Sequence, residues 1–139
     1  MSILVLDAGA LIALERNSRN LWALVDAAYD AGDRAHVPAC ALAQVWSGEP
    51  TQARLNQALK LCRTIPLDEE LAHITGRLRL ASGIDDITDA SVAAAAAMAT
   101  TFSNVVIATS DEGDISQLVS AAESLRPRLV QDKIGIHAV

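Results

Sequence analysis

The four consecutive apolar residues Ile3, Leu4, Val5 and Leu6, cut off by Asp7, constrain the fold more than any other stretch of the chain. A strand with one face in water alternates apolar and polar side chains, whereas an unbroken run suits a strand covered on both faces, as at the centre of a parallel sheet. Asp7 is followed by the small residues Ala8, Gly9 and Ala10 and then by Leu11, Ile12 and Leu14 at helical spacing, which puts Asp7 at a strand-to-helix junction. Ligands of open α/β sheets bind at that carboxyl end of the strands. On this stretch alone, an aspartate there serves equally as helix cap or as chemical group.

With 139 residues, 51% hydrophobic and 20% charged, the chain is expected to form one globular domain over residues 1–139 that buries its own core; disordered, collagen-like and repeat architectures do not fit. Cys40 and Cys62 show no CxxC spacing and His36, His73 and His137 are scattered, so no zinc site or disulfide framework is readable. No basic region precedes the first apolar run, and that run is far too short to cross a bilayer; the expectation is a cytoplasmic protein with no membrane partner. A net charge of −6 and a pI near 4.9 argue against broad electrostatic attachment to nucleic acid, so any such contact has to be local.

After the first helix, Ser18 is placed to cap a second one, with Leu21, Trp22, Leu24, Val25 and Ala28 on its apolar side, running to about Ala31. Gly32 and Asp33 make a turn and Ala35, His36 and Val37 a short strand. Pro38 is expected in the first turn of a helix that carries Leu42, Gln44, Val45 and Trp46 and ends near Gly48. Pro50 opens another that runs through Leu61. Residues 64–67 read as a short edge strand because of Pro66. Asp68 caps a helix ending at Gly83, and residues 85–99 read as an acidic helix start with an alanine-rich body packed closely on the sheet. Residues 104–107 form a second apolar strand and residues 112–125 a helix. Leu129 and Val130 read as the final strand, with residues 134–139 adding a strand or packing loosely. This alternation predicts a parallel sheet with helices on both faces.

Two of these strands end in an aspartate, Asp7 and Asp111. Asp86 and Asp89 share one face at a helix start, and Asp114 lies one turn beyond Asp111. If the two strands are neighbours, these carboxylates face one crevice, and Asp7, Asp89 and Asp111 are expected to converge there. Two unit charges about 4 Å apart repel by about 4 kcal/mol at an effective dielectric of 20, so such a cluster calls for a cation, and oxygen ligands of this type select Mg²⁺ or Mn²⁺. Taken singly, Asp86, Asp89, Asp111 and Asp114 are explained as well by the roughly 0.3 to 1 kcal/mol that a carboxylate contributes at a helix N-terminus.

The segments VLDAGALIALE (residues 5–15), VPACALAQVWSG (37–48), DITDASVAAAA (86–96) and IATSDEGDI (107–115) resemble, in order and spacing, the PIN-domain ribonucleases of the VapC toxin type, and the resemblance spans essentially the whole chain. It implies a five-stranded parallel sheet flanked by helices, Mg²⁺- or Mn²⁺-dependent cleavage of single-stranded or looped RNA, and neutralisation by a cognate antitoxin. By position, Asp7 matches the family's first acidic residue, Asp89 its third and Asp111 its fourth, with Asp114 as an additional acidic neighbour and Asp86 in support. Thr109 and Ser110 match the polar residues of the same strand end. The second acidic position falls at Gln44, where the family usually has glutamate, so one negative charge is missing. Glu49, beyond Gly48, reads as a loop residue facing solvent rather than as its replacement.

The implied reaction is metal-assisted hydrolysis, which also reconciles an acidic protein with an anionic substrate. Arg16 and Arg19 are candidate phosphate contacts, although solvated surface arginines are the commoner outcome. Ser110 either holds a water or caps the following helix. The implied antitoxin is small and basic and places an arginine or lysine among the carboxylates. The family commonly forms homodimers, and Trp22, Leu24 and Trp46 fit an interface or the core. Two other readings stand beside the nuclease: a catalytically silent PIN fold that binds RNA or protein, kept open by Gln44, and a receiver-like signalling domain. The receiver lacks the acidic pair it needs after the first strand, while Lys133, after the strand assigned to Leu129 and Val130, meets its lysine requirement.

Overall fold

The computed structural model describes residues 2–139. Among them, the strands are β1 (Ser2–Leu6), β2 (Ala35–Pro38), β3 (Cys62–Ile65), β4 (Asn104–Thr109) and β5 (Ile134–Ala138). They form one parallel sheet in the order β3-β2-β1-β4-β5. The helices are α1 (Ala8–Glu15), α2 (Arg19–Asp30), α3 (Ala39–Val45), α4 (Ala53–Leu59), α5 (Glu69–Ser82), α6 (Ile87–Ala99), α7 (Glu112–Leu125) and α8 (Pro127–Val130), with a 3-10 turn at Pro50–Gln52 ahead of α4.

β1 is central, and Ile3, Leu4, Val5 and Leu6 are all buried, as an uninterrupted apolar run requires. Side chains alternate faces along it. Leu4 lines one cavity with Leu24 and Ala28 of α2, and Ile3 lines another with Ala95, Met98 and Ala99 of α6, so α2 and α6 cover opposite faces of the sheet. α6 is buried on nearly every side from Ala90 to Ala97, with α5 and α7 packed on it; alanine lets those backbones approach closely.

Local signals set several boundaries. Ser18 caps α2, accepting the Leu21 N–H at 3.4 Å, and Asp68 caps α5, accepting the Leu71 N–H at 2.9 Å. Gly83 ends α5 at φ 75°, a left-handed conformation that glycine adopts without a steric cost. Other boundaries differ from those the sequence predicts. Pro38 closes β2 and stands before α3 instead of inside its first turn. α3 stops at Val45, short of Gly48, and α4 stops at Leu59, short of Leu61. The edge strand is Cys62–Ile65, so Pro66 and Leu67 fall beyond it.

Leu129 and Val130 are helical: Pro127 takes a first-turn position and opens α8 in place of preceding a strand. The final strand is β5, paired with β4 from Val105↔Ile134 to Thr109↔Ala138. Lys133 therefore precedes the last parallel strand, and the receiver reading loses the lysine that had kept it open. Trp22 is half-buried and donates its indole N–H to the Leu14 carbonyl at 3.1 Å, Leu24 is half-buried, and Trp46 is 45% exposed. No helix among the described residues is long and apolar enough to cross a membrane.

Candidate metal centre

The strand order reverses between β1 and β4: the chain builds outwards from β1 to β2 and β3 on one side and from β4 to β5 on the other. A crevice opens at the carboxyl ends of strands at such a switch point. β1 and β4 pair in register from Ser2↔Asn104 to Leu6↔Ala108, and the Asp7 N–H extends the ladder to the Ala108 carbonyl at 3.1 Å. Asp7 and the β4–α7 turn therefore come together although they lie about a hundred residues apart.

Asp7 is 2% exposed and accepts two backbone hydrogen bonds. Its Oδ1 takes the Ala10 N–H at 2.7 Å, capping α1, and its Oδ2 takes the Ser110 N–H at 3.1 Å. One carboxylate thus ties the head of α1 to the end of β4.

Beyond Ser110, the Thr109 hydroxyl accepts the Asp111 N–H at 2.8 Å, and Asp111 Oδ1 accepts the Asp114 N–H at 3.2 Å. Asp111, and not Ser110, is the N-cap of α7, because its side chain reaches the amide three residues on. Ser110 is exposed at the turn. On the facing helix, Asp86 caps α6 by accepting the Asp89 N–H at 2.9 Å, which directs Asp89 inwards from the first turn.

One carboxylate oxygen from each of Asp89, Asp111 and Asp114 lies within 4.8 Å of the others. Ligand oxygens on an octahedral Mg²⁺, each at about 2.1 Å, stand about 3 Å apart when adjacent and about 4.2 Å apart when opposite, so three oxygens within 4.8 Å would close on an ion by small side-chain movements. Burial first, then the charges of Asp86, Asp111, Asp7 and Asp114, push Asp89 from its ordinary 3.8 up to about 6. Asp114 is also raised, by lost hydration and by the charge and hydrogen bond of Asp111, with Asp86 adding to it. The single ion pair among the described residues joins Arg79 to Asp85 in the exposed loop before α6, so no cationic side chain pairs with the cluster. Burial pushes the Cys62 thiol, at the start of β3, up to about 11, which leaves it a protonated core side chain.

Asp7, expected as a metal ligand, and Asp86 lie outside that group of three. Gln44 is exposed on α3, a helix that packs against α1 and α6, and Glu49 is exposed in the loop beyond it. Arg16, the C-cap of α1, and Arg19, the first residue of α2, are both exposed, and the eight residues of α1 carry the chain about 12 Å away from its Asp7 end before Arg16 is reached. Two residues that shape the region escape a reading of the sequence. Gln52, 4% exposed, accepts the Ser47 and Gly48 N–H groups at 2.8 and 3.2 Å and donates to the Val45 carbonyl at 2.8 Å, so it holds the loop after α3. Gly9 lies against Ser110. Its one local signal was a glycine in the first turn of a helix, where alanine is intrinsically favoured.

No family model matches the chain, and no curated protein does. Among solved structures, a chain of the DNA-bound VapBC complex from Salmonella typhimurium superposes with a TM-score of 0.64 at 14% identity, over 99% of this chain and 98% of the other. At that identity the likeness is one of fold, and the chain carries the PIN-like architecture, with its parallel five-stranded sheet flanked by helices.

Proposed function

We propose that this protein is a metal-dependent endoribonuclease and the toxin of a VapBC-type toxin–antitoxin pair. The observation that carries this reading is the convergence of Asp89, Asp111 and Asp114, beside Asp7, at the switch point of the sheet with no cationic side chain among them. Mutually repelling carboxylates at a strand-end crevice are stabilised by a divalent cation, and the full-length likeness to a chain of a VapBC complex supports the same conclusion.

In this reading Asp89, Asp111 and Asp114 hold Mg²⁺ or Mn²⁺, with Asp7 bracing the site and contributing charge. The bound ion would supply a lowered pKa for the attacking water and stabilisation of the leaving oxygen. Thr109 and Asp7 fix the turn that carries Asp111 through its own and its neighbour's amides. Asp86 orients the first turn of α6 beneath Asp89. Gln44 adds at most a neutral carbonyl oxygen, so metal demand is expected to be higher than with glutamate. Arg16 stands at the far end of α1 from the carboxylates and Arg19 at the start of α2, and both are assigned to phosphates other than the reacting one.

The partner is a basic antitoxin whose arginine or lysine occupies the carboxylate cluster, replacing the metal charge with charge-assisted hydrogen bonds. The test is cleavage of an unstructured RNA by the purified chain with Mg²⁺ or Mn²⁺, with chelator, and in Asp7→Asn and Asp111→Asn variants. Cleavage that requires the metal and fails in both variants is expected. Cleavage that survives chelation or the Asp111→Asn change overturns the nuclease reading, and RNA binding without cleavage at any metal concentration favours the silent fold.

A further inference from the structure

Gly9 is the second residue of α1, and the main chain of Ser110 runs against it from the end of β4. A Cβ at Gly9 would fall well inside van der Waals contact of Ser110 Oγ and Cβ, and 3.3 Å from the Ser110 backbone nitrogen. Rotating the serine hydroxyl clears Oγ but leaves Cβ, which is fixed to the backbone. Restoring an ordinary carbon–carbon separation of about 3.5 to 4 Å therefore takes a main-chain displacement of about 1 Å. The backbone that has to move donates its N–H to Asp7 and continues directly into Asp111.

Conformation does not call for glycine here. The glycines with positive φ are Gly32, Gly48 and Gly83; Gly9 is helical, where alanine is the better residue. Gly76, also helical, has nothing within 4 Å of an added Cβ. What sets Gly9 apart is the space its missing side chain leaves for Ser110.

From this we infer that Gly9 is a positioning residue that sets the separation between the Asp7 limb and the Asp111 limb of the carboxylate cluster. The functional weight of that spacing rests on the nuclease reading: divalent-ion ligands tolerate errors of about 0.2 Å, a fraction of the displacement that a methyl group at residue 9 would force.

The test compares Gly9→Ala, Ser110→Gly, the double variant and Gly76→Ala, using Mn²⁺ affinity by calorimetry and hydrogen exchange of the amide at residue 110. Gly9→Ala is expected to weaken Mn²⁺ about ten-fold or more and to lose protection at that amide. Adding Ser110→Gly, which removes the clashing Cβ, should return both to within about three-fold of Ser110→Gly alone, and Gly76→Ala should change neither. If Gly9→Ala does not fold, the double variant carries the test, and its refolding with the amide protected upholds the inference. Unchanged protection in Gly9→Ala, or a double variant no better than Gly9→Ala, overturns it. A wild-type protein that binds no Mn²⁺ refutes the nuclease reading while the exchange data still decide the role of Gly9.

Discussion

Replacing Asp89 with asparagine should make the metal-free protein more stable at neutral pH while removing its metal response. Asp89 ionises at about 6 in the folded chain against an ordinary 3.8, because it is half-buried and faces four other carboxylates. The folded state holds the proton more tightly than the unfolded one. The contribution of Asp89 to stability is therefore fully present below about 3.8 and is lost as pH rises through about 6. At 1.36 kcal/mol per pH unit, the gap amounts to about 3 kcal/mol. Asp89 is partly open to solvent, and screening reduces this to about 1 to 1.5 kcal/mol. An unfolding entropy of about 2.1 cal/mol/K per residue makes 1 kcal/mol worth about 3 to 4 °C in a chain of this length.

Calorimetric scans in chelator at pH 7 should accordingly show Asp89→Asn melting about 3 to 5 °C above wild type, with the difference vanishing near pH 4, where the wild-type carboxyl is neutral too. Mg²⁺ at 100 times its Kd should then raise the wild-type Tm by about 9 °C, from about 2.7 kcal/mol of binding free energy, and leave the variant unmoved. A variant less stable than wild type in chelator at pH 7, or a difference that persists at pH 4, would refute the view that burial and like charge govern this residue.

Asp7→Ala should behave in the opposite way. It removes both backbone hydrogen bonds of a buried carboxylate and should cost about 3 kcal/mol even in chelator, read by urea unfolding; a loss under about 1 kcal/mol would mean that the tether is dispensable. Gln44→Glu restores a charge on the helix beside α1 and α6 and should tighten Mg²⁺ several-fold by calorimetric titration; an unchanged affinity puts Gln44 outside the ion's surroundings. Gln52→Leu strands two amides and a carbonyl in the loop after α3 and should cost about 2 to 4 kcal/mol, again by urea unfolding, with near-neutral stability as the contrary result.

The parts of this protein legible in its sequence are those whose causes are local. An apolar run with no polar interruption has to be covered on both faces, and β1 is. Side chains that reach an amide three residues on mark helix starts, and Ser18, Asp68 and Asp86 do so. From such signals the parallel α/β architecture could be anticipated. The tertiary structure alone decided what depends on distant chain segments meeting. Leu129 and Val130 look like strand residues, but β5 forms at Ile134–Ala138, where β4 offers hydrogen bonds in register and where half-exposed side chains leave only a faint pattern. Ser110 looks like a cap, yet it is its amide that matters, through a bond to Asp7 across 103 positions. No local propensity encodes that bond or the vacant volume at Gly9, because both are properties of two backbones brought together by the pairing of β1 with β4.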